Sequence, residues 1–152
     1  MARYQQGLFE PKFPEKWIIP KTSITGGSYI RYMSSYEKKA FKFLDLNPGI
    51  EKISSEPFGI HYESPVDGKI HRYFPDLLVK TKAGRKFLVE IKPYDQTIPP
   101  KQPKRLTTKS QENYIKALET FQINTNKWKA AREFCEKNNL EFIILTEKEL
   151  QI

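Results

Sequence analysis

Ile70-His71-Arg72-Tyr73-Phe74-Pro75-Asp76-Leu77-Leu78-Val79-Lys80-Thr81-Lys82-Ala83-Gly84-Arg85-Lys86-Phe87-Leu88-Val89-Glu90-Ile91-Lys92-Pro93 is the most structured reading in this chain of 152 residues. Ile70 to Lys80 and Arg85 to Lys92 are rich in β-branched, aromatic and aliphatic residues and flank a turn, the pattern of a hairpin. A three-residue loop, Lys82-Ala83-Gly84, with Gly84 left-handed, pairs Thr81 with Arg85. Counting back five residues along each strand then sets Asp76 opposite Glu90. Side chains alternate along a strand, so both carboxylates project from the same face as Lys92. A two-residue loop would break this alignment.

Upstream, Met33 to Asp45 reads as a helix stopped by Asn47-Pro48-Gly49. Helical spacing puts Met33, Ala40, Phe41 and Leu44 on one stripe and Lys38, Lys39, Lys42 and Asp45 on the opposite arc. Glu37 falls inside the apolar stripe, where a carboxylate is costly unless it is paired, hydrogen-bonded or bound to a cation. Glu51 to Tyr62 reads as one or two short strands interrupted by Pro57. Downstream, Leu106 to Phe121 carries apolar residues at helical spacing and has Thr107 or Thr108 as its cap. Asn124 is placed to cap a second helix, Thr125 to Lys137, with Trp128, Ala131 and Cys135 inward. Phe142 to Thr146 reads as a final buried strand. Residues 1–30, with Pro11, Pro14, Pro20, Gly26 and Gly27, form an irregular arm, and residues 31–152 one domain. A mixed sheet with flanking helices packs these elements most simply.

The 26 Lys and Arg against 18 Asp and Glu leave a net charge of +8. Lys80, Lys82, Arg85, Lys86, Lys92, Lys101, Lys104, Arg105 and Lys109 oppose only Glu90 and Asp95, so one fifth of the chain carries +7. Pro93, Pro99, Pro100 and Pro103 make part of this stretch an extended basic loop. The surplus points to a polyanion, with nucleic acid ahead of an anionic membrane surface. The plainer alternative is a solvated basic surface. The longest apolar runs are strand-sized, no signal-peptide pattern opens the chain, and the lone Cys135 fits a reducing compartment such as the cytoplasm.

Glu37, Asp76, Glu90 and Lys92 are the residues whose pattern carries chemistry. Hydrolysis of a phosphodiester needs a divalent cation to neutralise developing charge and to supply hydroxide near neutral pH. Asp76 and Glu90 offer the hard oxygen ligands that suit Mg²⁺, with Mn²⁺ as a substitute, and Glu37 could add a third. Lys92 could orient the water or stabilise charge. The competing reading is a cross-strand ion network in which Lys92 merely pairs with Asp76 and Glu90.

Tyr73-Phe74-Pro75-Asp76 followed by Val89-Glu90-Ile91-Lys92-Pro93 resembles the PD-(D/E)XK nuclease superfamily, and Ser34-Ser35-Tyr36-Glu37 resembles the helix that often provides its extra acid. More closely, Ile30 to Leu150 is similar to the head-completion nucleases of large tailed phages, related in pattern to TnsA-type endonucleases. The similarity extends through Pro99-Pro100, Leu106-Thr107-Thr108, Asn124 to Ala131 and Ile144 to Glu147. It implies a restriction-endonuclease-like, mixed four-stranded sheet with helices on both faces (an α-β-β-β-α-β core). It further implies metal ligation by Asp76 and Glu90, a catalytic lysine at Lys92 and an auxiliary acid at Glu37, with Glu56 a further candidate. The implied role is a Mg²⁺-dependent DNA endonuclease cutting or trimming packaged DNA before head and tail join. Its partners would be double-stranded DNA and portal or neck proteins, and its place the host cytoplasm or the virion. A non-catalytic DNA-binding neck protein and a restriction or transposon nuclease are the alternatives.

His61 and His71 stand alone without ligand spacing and read as surface residues. Arg72 could contact phosphate or be solvated, Trp17 and Trp128 could stack on bases, and Trp128 fits the core better. No phosphate-binding loop, nucleophile elbow or zinc-finger spacing is present.

Overall fold

The computed structural model describes residues 6–151. Helix α1 (Ser35–Leu46) begins at Ser34, whose side chain accepts the Glu37 N–H. Strand β4 (Ile50–Ser55) follows the stop at Asn47-Pro48-Gly49. Strands β7 (Leu77–Thr81) and β8 (Lys86–Ile91) form the expected hairpin. Gly84 has φ +89°, its N–H reaches the Thr81 carbonyl, and Thr81 N–H bonds to Arg85 O at 2.9 Å. Leu77 pairs with Val89, so Asp76 lies opposite Glu90, as the loop length requires.

Strand β9 (Glu141–Leu145) adds parallel to β8, and β4 adds antiparallel to β7. A short strand of the arm, β2 (Trp17–Ile18), completes the sheet parallel to β4, in the order β2-β4-β7-β8-β9. The mixed sheet is therefore five-stranded, one strand more than expected. A second short strand of the arm, β1 (Gly7–Leu8), pairs antiparallel with β3 (Arg31–Tyr32).

Period-two alternation divides the core. Ile53, Leu77, Val79, Val89 and Ile91 meet Ala40, Phe41 and Leu44 of α1 on one face. Leu78, Leu88, Phe142 and Ile144 meet Trp128, Ala131 and Cys135 of helix α2 (Thr108–Lys137) on the other. Glu90 is in phase with Leu88, so its side chain lies on the α2 side. The chain ends in α3 (Glu147–Leu150), capped by Thr146.

Five expectations are corrected. Ile70 to Lys80 is not one strand. Strand β6 (Ile70–Tyr73) pairs with β5 (Ile60–Glu63) in a separate ribbon, and the chain changes partners at Pro75, which is fully buried and cannot donate to a ladder. The two helices after Leu106 are one helix of 30 residues, capped by Thr107. No Gly or Pro interrupts it, and its weak centre is held: the Thr125 hydroxyl donates to Phe121 O, and Asn126 donates to Glu63 O. Asn124 is thus a buried mid-helix residue, not a cap.

Trp17 is buried and not available to stack on bases. It packs on Phe9 and Phe41 at 5.1 and 5.6 Å. Nor does Asp45 face water: it accepts from the N–H groups of Lys12, Phe13 and the Trp17 indole. The arm covers the side of α1 that helical spacing alone leaves open. Lys16 Nζ also donates to the carbonyls of Asp45 and Asn47, satisfying the free end of α1. Asp45→Ala orphans three donors, and the expected cost is about 3 kcal/mol. Calorimetry should show the melting temperature falling by roughly 6–12 °C; a change under about 2 °C would mean the arm is not fastened there.

Candidate active site

At the end of the sheet where β8 finishes, Glu37, Glu56, Arg72, Tyr73, Asp76, Glu90, Lys92 and Lys127 line a cavity of about 420 Å³. Asp76 is fixed by the partner switch at Pro75: its carbonyl accepts the Glu56 N–H at 2.7 Å, and its Oδ2 accepts the Ile91 N–H at 2.7 Å. Glu90 is buried and accepts a hydrogen bond from the Tyr73 hydroxyl. Lys92 is anchored by its N–H to Leu145 O at 3.0 Å, and its Nζ stands 3.7 Å from Glu90 Oε1. That separation exceeds a hydrogen bond. Among the described residues Lys92 forms no ion pair with Asp76, so the competing cross-strand network is absent and only a loose contact along one strand, Lys92 to Glu90, remains.

Glu37 comes from the opposite layer. It is buried, and its Oε2 accepts the Ser34 hydroxyl at 3.0 Å, so it also serves the start of its own helix. Glu56 lies in the left-handed region at φ +41°, an unusual backbone for a glutamate. Both its oxygens are held by Arg31, at 2.9 and 3.1 Å. Arg72 stands 5.0 Å over the Phe74 ring.

Burial raises Asp76 well above the ordinary carboxylate range, and Glu90 and Glu37 raise it further, against the Ile91 N–H and Lys92. Glu90 and Glu37 are also raised, chiefly by burial; Lys92 and the Tyr73 hydroxyl pull Glu90 the other way. A site that penalises its own negative charge gains from a bound cation. Its donors are all carboxylate oxygens, which fits a hard ion such as Mg²⁺ or Mn²⁺. Among the described residues no three acidic, histidine or cysteine side chains are grouped to hold a metal ion together, so Glu37 does not join Asp76 and Glu90 as a third ligand here. A Mg²⁺-type site does not need one, because one or two carboxylates with water and substrate phosphate suffice.

The structure divides the basic residues expected on DNA. Lys80, Lys82, Arg85 and Lys86 sit at the hairpin tip, four to six residues and about 13–20 Å of chain from the carboxylates. Lys80 pairs there with Glu51, and Arg85 with Glu141. Lys101, Lys104, Arg105 and Lys109 are exposed on the segment that leaves Lys92 and enters α2. That segment is not wholly extended: a short turn at Tyr94–Gln96 is tied by Tyr94 N–H to Glu147, and Gln96 reaches the cavity. His71 pairs with Asp67 at the surface, His61 is exposed, and Trp128 is core.

Tyr73 and Lys127 line the cavity without having a role in the sequence reading. Tyr73 stood in the quoted motif without a role. Lys127 is 35 residues beyond Lys92, and only the packing of α2 on the Glu90 face brings it in. Burial lowers its pKa, with Lys92 adding, while Glu90 and Asp76 oppose.

Residues 47–147, from the end of α1 to the start of α3, match the family model described as TnsA-like endonuclease N terminal. The chain belongs to this endonuclease family. The head completion nuclease of Enterobacteria phage T4 is 40% identical over 138 residues, which cover 90% of this chain and 92% of that protein. The TnsA-like match contains Asp76, Glu90, Lys92 and Lys127; Glu37 and Arg31 lie before it.

Proposed function

We propose that the protein is a metal-dependent DNA endonuclease of phage head completion, cutting or trimming packaged DNA before head and tail join. The observation that carries this reading is the apposition of Asp76 and Glu90 across the β7–β8 hairpin, with Lys92 on their shared face. The head completion nuclease of phage T4, similar over nearly the whole chain, supports the setting. Portal or neck proteins are the partners this role implies, during assembly in the host cytoplasm.

Asp76 and Glu90 would hold the ion, and Glu37 would serve as an auxiliary acid from α1. A divalent cation bound there neutralises charge on the scissile phosphate and makes hydroxide available near neutral pH. The Ile91 N–H aims the Asp76 carboxylate, and the Tyr73 hydroxyl aims Glu90, so neither side chain must reorganise as charge develops. The Lys92 ammonium, free of a close ion pair, can hold the attacking water or a phosphate oxygen.

Supercoiled plasmid incubated with the purified protein and Mg²⁺ or Mn²⁺ should become nicked and then linear, and excess chelator should stop the conversion. Tight, salt-sensitive DNA binding with no cleavage in any divalent ion would favour the non-catalytic neck protein instead.

A further inference from the structure

Lys127 is a cation placed where the body of the protein has no use for one. Its side chain is half-buried on the wall of the cavity, and its Nζ stands 5.7 Å from the centres of both the Tyr62 and Tyr73 rings. Among the described residues no carboxylate lies within ion-pairing distance of it. Taking an ammonium partly out of water without such a partner is unfavourable, and two aromatic faces offset only part of that cost.

The position is nonetheless rigid. Trp128 and Ala131, one and four residues on, are buried against Leu88 and its neighbours. Asn126, one residue before, donates to the Glu63 carbonyl of β5. The α2 backbone therefore cannot turn Lys127 away from the cavity without breaking the core. Asp76, Glu90 and Lys92, on the sheet face that α2 covers, line the same cavity. Cations from two elements thus flank one acidic centre: Lys92 from the strand and Lys127 from the helix.

Resting on the nuclease reading above, we propose that Lys127 is a further catalytic residue, contacting from α2 the phosphate that is cut, as Lys92 does from the strand. An anion entering the cavity supplies the partner that the folded chain withholds, and a charge-assisted contact in a half-buried site is strong. The contact also tethers DNA to α2, so one residue serves both seating and rate.

Two readouts test this with Lys127→Gln, Lys127→Met and Lys127→Arg in the full-length protein. Binding of a short fluorescein-labelled DNA duplex is followed by anisotropy in chelator across a salt series. Loss of one phosphate contact should lower the slope of log affinity against log salt by about 0.9. Cleavage at saturating DNA with Mn²⁺ should fall about 10²-fold in the Gln and Met variants. The Arg variant should keep the salt slope and recover most of the rate, and the melting temperature of the Met variant, which keeps the aliphatic stem, should be unchanged. A Gln variant that cuts within about threefold of wild type with an unaltered slope would overturn the proposal. So would a rate loss with unaltered slope, or an Arg variant as slow as Gln, since either marks a purely structural residue. Wild-type protein that cuts nothing with any divalent ion would bring down the nuclease reading and this inference together; active wild type beside an indifferent Gln variant would bring down this inference alone.

Discussion

Asp76→Asn should lose at least about 10³-fold in DNA cleavage and yet melt at a higher temperature than the wild type in chelator at neutral pH. The amide keeps the shape and can still accept the Ile91 N–H that the carboxylate accepts at 2.7 Å. What it removes is the negative charge that would hold the ion. That same charge is disfavoured in the empty fold, by burial first and then by Glu90 and Glu37. The folded pKa of Asp76 is thus above the unfolded value of about 3.9. Its contribution to folding is intact below that value and is lost as pH rises through the folded pKa. The thermal gain of Asp76→Asn should accordingly be near zero around pH 4 and grow towards pH 8, reaching at least about 3 °C, the size that roughly 1 kcal/mol produces in a domain of this length. Saturating Mn²⁺ should reverse the order, because only the wild type would bind it tightly. A variant that cuts at the wild-type rate would remove Asp76 from the site, and one that melts lower at pH 8 would refute the electrostatic account of its burial.

Lys92→Met should cost about 10²–10³-fold in cleavage at saturating DNA with little change in folding. The strand end does not depend on the ammonium: it is held by the Lys92 N–H to Leu145, and the Nζ contact with Glu90 is loose at 3.7 Å. A second effect separates this variant from a damaged fold. Lys92 is the strongest influence holding the Glu90 carboxyl down against burial. Its removal lets that pKa rise, so the ascending limb of the pH–rate profile should move to higher pH. Lys92→Arg retains the charge and should leave the limb nearly in place while still losing rate, because a guanidinium is a poor replacement for a compact point charge. An unshifted limb in Lys92→Met would place the ammonium too far from Glu90 to matter.

What could be read from the residues alone was local. The three-residue loop ending in Gly84 sets the register that opposes Asp76 to Glu90, because loop length and side-chain alternation need no knowledge of the rest of the chain. The Glu37 position was legible for the same reason: an acid on an apolar stripe is visible from helical spacing. Features that depend on partners distant in sequence were not legible. Pro75 marks where the chain leaves β5 for β4 and β8, yet the run of apolar residues on both sides reads as continuous. Asp45 sits on the polar arc of α1 until the arm covers it. The Ile123-Asn124-Thr125-Asn126 segment resembles a helix start and is kept inside α2 by a bond to β5. Charge counting placed nine basic residues near one centre without telling the two ends of a strand apart, and so missed that the hairpin tip carries four of them away from the carboxylates. Lys127 carried no signal in its own neighbourhood, because its meaning comes from the face on which α2 packs.

A crystal of the wild-type protein grown with Mn²⁺ and measured for anomalous scattering tests the central claim most directly. The account predicts a strong anomalous peak bound by carboxylate oxygens of both Asp76 and Glu90, with Lys92 facing it and not between them. A Lys92 ammonium bridging the two carboxylates, with no anomalous peak in the cavity, would contradict it.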